Sequence, residues 1–149
     1  MRINEKLIIV GLLACMVGIQ GQAKELRSAE KIYEKKCAMC HTVGKPKNKV
    51  EKKKMVAPPI DVAMKGVVIT IDAVDGPFKD DELREESIAF LKDYFYEPTE
   101  DKTNCEDMVV KKFGRMPSLK GFVSPEELEK VVPWVYDTFK PIKNSKGEY

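Results

Sequence analysis

Two cysteines and one histidine form the segment with the clearest chemical capacity in the sequence. Cys37 and Cys40 are separated by two residues, and His41 follows directly. Because the cysteines lie about one helical turn apart, both sulfurs can reach the two vinyl groups along one edge of a porphyrin. The adjacent imidazole can then bind the iron, as histidine does in cytochromes. This spacing predicts the covalent attachment of one haem c.

The same cysteines allow three other interpretations: a structural disulfide, a thioredoxin-like redox pair, or half of a zinc site. A zinc site needs two further ligands. Beyond residue 23, however, the chain has only one more cysteine, Cys105, and no histidine besides His41. A thioredoxin-like pair is expected within a βαβ unit, which the surrounding sequence does not indicate. Haem attachment is therefore the favoured interpretation.

The second iron ligand must differ in type from the first, because His41 is the only histidine in the chain. The methionine thioether is another common axial ligand in cytochromes. Met116 lies between Gly114 and Pro117, in a loop whose backbone can bring a sulfur atom to an iron. Met116 is therefore the predicted second ligand.

Four other methionines in the region after residue 23 are weaker candidates. Met39 is held near the histidine side by the cysteines that flank it, and Met108 fits the spacing of a helical core position. Met55 and Met64 both follow loops that are long enough to wrap around a haem. These two remain alternatives to the predicted ligand.

The order of the motifs resembles that of the mono-haem, class I c-type cytochromes. The haem motif is followed by Ala57–Ile60, by Met116–Ser118 and by a terminal helix over Ser124–Phe139. The resemblance extends from about residue 28 to 139. The first motif is highly specific, and the others gain weight from their order and spacing. The resemblance implies an all-α, cytochrome c-like fold of several helices wrapped around one covalently attached haem.

The resemblance also implies roles for individual residues. In this family a proline carbonyl accepts a hydrogen bond from the histidine that binds the iron, and Pro58 is the best match for that proline. A simple turn is the alternative interpretation of Pro58. The axial ligands implied by the resemblance are His41 and Met116.

Histidine–methionine ligation implies an electron carrier and not an enzyme. A thioether ligand favours ferrous iron relative to a second imidazole, and two axial side chains leave no coordination position for a substrate. The partners would then be a donor and an acceptor protein. A haem subunit of a larger oxidoreductase complex is one alternative. A ligand-binding haem sensor or enzyme is another, if the sixth position is open.

Residues 1–23 have the pattern of a secretory signal peptide. A short basic start precedes an apolar run over residues 7–19, which is too short to span a bilayer comfortably. Small residues at Gly21 and Ala23 predict cleavage after Ala23 and a periplasmic location. An uncleaved membrane anchor and a lipoprotein-type cut before Cys15 are the alternatives, and membrane contact is expected only if the leader is retained. The length bounds residues 24–149 to one domain.

The charge balance does not suggest a nucleic-acid-binding protein. The chain has 26 basic and 24 acidic residues, a net charge of +2, whereas nucleic-acid binding favours a strongly basic surface. Residues 44–54 contain six lysines and one acidic residue, and this composition predicts a solvated, mobile loop. Because the loop emerges beside the haem motif, its lysines are candidates for docking an acidic partner protein.

Two elements are predicted before residue 79. The first is a helix over residues 24–36, capped at Ser28, with Ala29 and Tyr33 on its apolar face. The second is a short β segment or a buried extended run at Val67–Ile71, where β-branched residues follow one another.

Two helices are predicted between residue 79 and the methionine loop. The first is capped by Asp80 or Asp81 and ends at the next proline. The second covers Thr103–Phe113, with Cys105 and Met108 toward the core, and a glycine terminates it.

The last predicted helix, Ser124–Phe139, has a complete N-terminal signal. Ser124 is the cap, Pro125 occupies the first helical position, and Glu127 completes a capping box. Pro133 lies inside this helix and predicts a kink or a break. Residues 140–149 are predicted to form a frayed, flexible tail.

Overall fold

The computed structural model describes residues 24–105, 107–145 and 147–149, and the predicted signal peptide lies outside them. Helices form the regular structure of the described residues, which contain no β-strand. The expected all-α fold is therefore confirmed. In chain order the helices are α1 (residues 24–36), α2 (Lys49–Lys54), α3 (Ile60–Val74), α4 (Asp80–Tyr96), α5 (Asp107–Phe113) and α6 (Pro125–Phe139).

Helix α6 contacts both α3 and α4, which also contact each other. Its predicted N-terminus is confirmed. The Ser124 hydroxyl accepts a hydrogen bond from the Glu127 N–H (3.2 Å), and the Glu127 carboxylate accepts one from the Ser124 N–H (2.9 Å). These reciprocal bonds fix the point at which the chain enters the core.

Helix α6 runs through Pro133 without interruption, so of the predicted kink or break, the break does not occur. A proline inside a helix costs about 3 kcal/mol. Val131, Val132 and Val135, which surround it in the sequence, are at most 1% exposed. Burying each such side chain contributes about 1.5–3 kcal/mol, and together they outweigh the cost of the proline.

The segment predicted to contain a β strand is helical throughout, so that prediction is wrong. Ile60, Met64, Val68 and Ile71 are buried along one face of α3. The helix penalty of β-branched residues is at most about 0.7 kcal/mol each, which is less than the gain from burying one of these side chains. Packing therefore decides the structure of this segment.

Helix α4 begins at Asp80, and neither Asp80 nor Asp81 is its cap, contrary to the prediction. Lys79 occupies the cap position, and its backbone N–H donates to the Glu82 carboxylate (3.2 Å). The two aspartates lie instead in the first turn, where their charges interact favourably with the helix dipole.

Helix α5 begins at Asp107 and not at Thr103. The Thr103 hydroxyl donates to the backbone carbonyl of Thr99 (3.1 Å), so this residue belongs to a turn. Cys105 is exposed and Met108 is 74% exposed; the prediction that both face the core is wrong. The predicted glycine terminus is confirmed, because Gly114 has a φ of +73°.

Helix α1 packs against α6 through its predicted apolar face. Ala29 and Tyr33 are buried, and the Tyr33 ring lies 5.3 Å from Trp134 and 5.4 Å from Phe139 between centroids. Ser28 lies within the helical residues, so its prediction as the cap is wrong.

The basic segment predicted to be an irregular loop contains the short helix α2. The Asn48 side chain caps this helix by accepting hydrogen bonds from the N–H groups of Val50 (3.0 Å) and Glu51 (2.9 Å). None of its six residues is buried. The segment is therefore solvated, as predicted, but partly helical.

The C-terminal segment makes defined contacts, contrary to the expectation of a frayed tail. Lys143 forms an ion pair with Asp72 near the end of α3 (2.7 Å), and the Tyr149 hydroxyl donates to the same carboxylate (3.1 Å). Two residues of the tail thus bind a single site on α3.

Candidate functional site

One cavity brings together all of the predicted site residues. Its volume is about 340 Å³, within the range of about 300–1,000 Å³ that is typical of ligand and cofactor sites. Cys37, Cys40 and His41 contribute to its wall from the segment after α1, Pro58 from the segment before α3, and Met116 from the loop after α5. Three separate parts of the chain therefore meet at one space.

The rest of the wall is mainly apolar and comes from α1, α3, α4, α5, α6 and the loops that connect them. Such a wall excludes water and suits a flat, hydrophobic ring with few polar groups. The apolar and aromatic wall residues, besides the predicted site residues, are Tyr33, Val56, Ala57, Ile60, Ala63, Met64, Val67, Leu91, Tyr94, Phe95, Val109, Val110, Phe113, Pro117, Leu119 and Val135.

Consecutive turns at the end of α1 hold the backbone of the cysteine motif. The Tyr33 carbonyl accepts hydrogen bonds from the N–H groups of Cys37 (2.8 Å) and Ala38 (3.0 Å), and the Cys37 carbonyl accepts from Cys40 (3.1 Å) and His41 (3.0 Å). No disulfide joins the two cysteines. Burial, followed by the neighbouring Cys40, raises the pKa of Cys37 to about 11, so this thiol is protonated at neutral pH.

The imidazole of His41 is fixed by the carbonyl of Pro58, which lies 2.9 Å from Nδ1. Because a carbonyl oxygen can only accept, Nδ1 carries the proton, and in the neutral ring the lone pair lies on Nε2. Burial lowers the pKa of His41, and the hydrogen bond to Pro58 only partly opposes this effect. The ring is therefore neutral at neutral pH, with Nε2 able to bind a metal.

The loop that carries Met116 is attached to the C-terminal end of α4. The Ser118 hydroxyl donates to the Tyr96 carbonyl (2.6 Å), and the Leu119 N–H donates to the Phe95 carbonyl (2.8 Å). These bonds hold the segment directly after Met116 against a helix that itself lines the cavity.

The other candidate methionines occupy different environments. Met39 is 65% exposed and Met108 is 74% exposed, and neither contributes to the cavity wall, nor does Met55. Met64 does line the cavity, but it is 2% exposed and packs within the core face of α3. Met116 and Met64 are thus the methionines on the wall.

Cys105 is a wall residue that was predicted to lie in the core, with no predicted connection to the site. It lines the cavity although the residue as a whole is exposed. Burial of the thiol raises its pKa. A lone cysteine has no spacing motif, so no sequence signal pointed to this position.

The residues on the wall fit a haem c. Two thiols about one turn apart, an imidazole with a free Nε2 and a thioether face one apolar space, which is the donor set that such a group requires. Among residues 24–105, 107–145 and 147–149, no three side chains of His, Cys, Asp or Glu form a cluster that could hold a metal ion. The zinc interpretation therefore finds no ligand set there.

Comparisons with known proteins give one relative and one family. An uncharacterized protein of Aquifex aeolicus (strain VF5) is 32% identical over 123 residues, which are 77% of this chain and 76% of that protein. No solved structure gives a significant match. Within the part of the chain that the structure describes, no helix has the length and apolarity needed to cross a membrane.

The family model described as "Cytochrome C oxidase, cbb3-type, subunit III" matches residues 24–135. This range includes the cysteine motif, the methionine loop and most of α6. The predicted resemblance to c-type cytochromes is therefore confirmed, and the chain belongs to this family of cytochrome c domains, whose chemistry is haem-based electron transfer.

Proposed function

We propose that the protein is an exported one-electron carrier, and not an enzyme, with a single haem c. Cys37 and Cys40 would attach the haem covalently, and His41 and Met116 would be its axial ligands. The observation that carries the proposal is the meeting of these four side chains on one apolar cavity, with His41 already oriented by Pro58. When bound, haem iron supplies a one-electron redox couple.

The protein residues contribute orientation and exclusion of water. The Pro58 carbonyl holds the His41 ring and makes Nε2 a stronger donor. The Met116 thioether is a soft ligand that favours the reduced state. With His41 and Met116 as its ligands, the iron would have no coordination position open to a substrate. This arrangement favours electron transfer over catalysis or gas sensing.

Absorption spectra of the oxidised and reduced protein test the ligand assignment. We expect a low-spin ferric spectrum with the weak red absorption band of methionine-ligated haem, and Met116→Ala should remove that band. Met108→Ala is the matched control, because this side chain is exposed and should leave the spectrum unchanged. An unchanged spectrum in Met116→Ala would contradict the assignment. If Met64→Leu removed the band instead, the ligand would be Met64.

Export is supported by the pattern of residues 1–23, and cbb3-type cytochromes are usually exported or face the periplasm. Mass spectrometry of the protein purified from the periplasmic fraction should find Lys24 as its first residue. A retained leader would indicate a membrane anchor instead.

The description of the matched family favours one alternative, a haem subunit of a larger oxidoreductase complex. Size-exclusion chromatography of the native protein from its own cells separates the two functions. A free carrier elutes as a small protein, whereas a subunit elutes with its complex.

The lysine-rich segment supports a docking site for an acidic partner protein. It spans the chain between His41 and Pro58, whose hydrogen bond fixes both ends of the segment at the cavity. The helix α2 buries no residue, and Glu51, the acidic residue of the segment, binds the Lys47 N–H (2.7 Å). Val50 and Val56 are 61% and 62% exposed. Exposed apolar groups among positive charges are typical of an interface with a complementary acidic surface.

Electron-transfer rates with the physiological partner test this docking site. A triple variant, Lys52→Ala, Lys53→Ala and Lys54→Ala, should lower the association rate and weaken its dependence on ionic strength. The control is a second triple variant, Lys31→Ala, Lys79→Ala and Lys130→Ala, which removes the same total charge at exposed positions in, or next to, other helices. Equal effects of the two triple variants would indicate a response to net charge and contradict a specific docking site.

A further inference from the structure

Tyr33 contacts the cysteine motif at both of its ends. Its backbone carbonyl accepts hydrogen bonds from the N–H groups of Cys37 and Ala38, where α1 ends. Its hydroxyl donates to the backbone carbonyl of His41, eight residues later in the chain, at 3.0 Å. One buried residue thus spans the whole turn that carries the two thiols and the imidazole.

The ring of Tyr33 is held firmly by α6. Tyr33 is 4% exposed and packs on Trp134 and Phe139, whose own rings lie 5.7 Å apart between centroids. One turn later, the Lys36 ammonium donates to the Glu127 carboxylate (2.5 Å) and to the Phe122 carbonyl (2.6 Å). The last turn of α1 is therefore fixed at two points, so the Tyr33 hydroxyl has little freedom to move.

Three segments of the chain hold His41 through three hydrogen bonds. Its N–H donates to the Cys37 carbonyl, its carbonyl accepts from Tyr33, and its Nδ1–H donates to Pro58. The first bond is local to the motif. The bonds to Pro58 and Tyr33 come from outside it, one to the ring and one to the backbone. Together they determine where the imidazole lies relative to the cavity.

We propose that Tyr33 is a positioning residue for the imidazole of His41. Its hydroxyl couples the packing of α6 to the orientation of the ring, complementing the bond from Pro58. This inference rests on the proposed function, because it takes His41 as an iron ligand. Without the hydroxyl, the backbone at His41 gains freedom, and the hydrogen bond between its ring and Pro58 opens more often.

The test compares Tyr33→Phe with a matched control, Tyr96→Phe, in the haem-loaded protein. Both changes remove a phenol hydroxyl that donates to a backbone carbonyl; in the control the acceptor is Val123, at 2.8 Å. NMR measures the solvent exchange of the His41 Nδ1 proton and the paramagnetic shifts of its ring protons. The loss of one net hydrogen bond should accelerate the exchange by about fivefold in Tyr33→Phe. The ring shifts should change in this variant, and Tyr96→Phe should change neither.

A merely structural role gives a different pattern of results. Both variants would then lose similar thermal stability, and the exchange at His41 would be the same in both. That result would overturn the proposal, as would a Tyr33→Phe chain that does not fold. A folded Tyr33→Phe chain that binds less haem than Tyr96→Phe supports it. If the wild-type protein carries no haem, both the proposed function and this inference fail; if it is loaded and the exchange is unchanged, only the role of Tyr33 fails.

Discussion

Individual side chains of α6 account for much of the packing that supports the cavity. Leu128 is 5% exposed and belongs to the core, but it does not line the cavity. Leu128→Ala should lower the free energy of unfolding by about 2–5 kcal/mol, because it leaves a void among buried neighbours. Urea denaturation measures this loss. Leu26→Ala is the matched control: this leucine is 58% exposed, and its replacement should cost less than about 0.5 kcal/mol.

A second prediction at this scale concerns Asp72, which holds the C-terminal segment. The hydrogen bond from Lys143 is the main reason that the pKa of Asp72 lies below 3.8; burial opposes it, and bonds from the Phe78 N–H and Tyr149 add to it. Because the folded-state pKa is lowered, this contribution to stability is complete above 3.8 and is lost as the pH falls through the folded-state pKa. The tail should therefore detach in acid.

NMR of Tyr149 during an acid titration measures this detachment. Asp72→Asn should detach the tail already at neutral pH and abolish the acid transition. Asp75→Asn removes a charge nearby, from a residue outside this contact, and should leave the transition in place. If the tail of Asp72→Asn still detached in acid at the same midpoint pH as in the wild-type protein, a group other than Asp72 would control the transition.

At the scale of the helices, the capping box of α6 is a separate source of stability. Ser124→Ala removes the side-chain acceptor of the Glu127 N–H. Loss of such a cap costs about 1 kcal/mol, so the midpoint of thermal unfolding should fall. Ser145→Ala, at an exposed position in the tail, is the control and should leave the midpoint unchanged. Equal midpoints for the two variants would contradict a stabilising role for the cap.

Helix α3 shows why local patterns gave the wrong structure for one element. The β-branched run Val67–Ile71 outweighed a helical spacing already present in the sequence at Ile60, Met64 and Val68. Which spacing prevails depends on the burial that α4 and α6 provide, and a short window of sequence contains no information on those neighbours. The N-terminal signal of α6, in contrast, is local and could be predicted residue by residue.

The same distinction applies to the site. The roles of Cys37 and His41 follow from spacing within five residues, because the chemistry of attachment requires that spacing. Pro58 could be proposed only through the family resemblance, since 17 residues separate it from its partner. The burial of Tyr33 followed from periodicity. Its hydroxyl contact could not be predicted, because it depends on how α1 ends and how the motif turns back.

At the scale of the whole molecule, the helices differ in how much their order depends on a haem bound in the cavity. Helices α3, α4 and α6 contact one another directly, so part of their packing lies outside the cavity. Helix α5 has no buried residue and, in the part of the chain that the structure describes, no comparable contact with another helix. Its apolar residues Val109, Val110 and Phe113 face the cavity instead. The order of α5 should therefore depend on haem.

Hydrogen exchange of the wild-type protein and of a variant without the attachment thiols, Cys37→Ala with Cys40→Ala, tests this dependence. A group that binds only the folded state stabilises the parts that contact it. In the variant, the amides of α5 should lose their protection, whereas those of α6 should keep most of theirs, because Val131 and Val132 are fully buried in the wild-type core and do not line the cavity. Cys105→Ala, which leaves both attachment thiols in place, is the control and should keep α5 protected. Equal protection of the α5 amides with and without haem would contradict this dependence. It would show that contacts within the polypeptide alone stabilise α5 and the apolar wall to which it contributes.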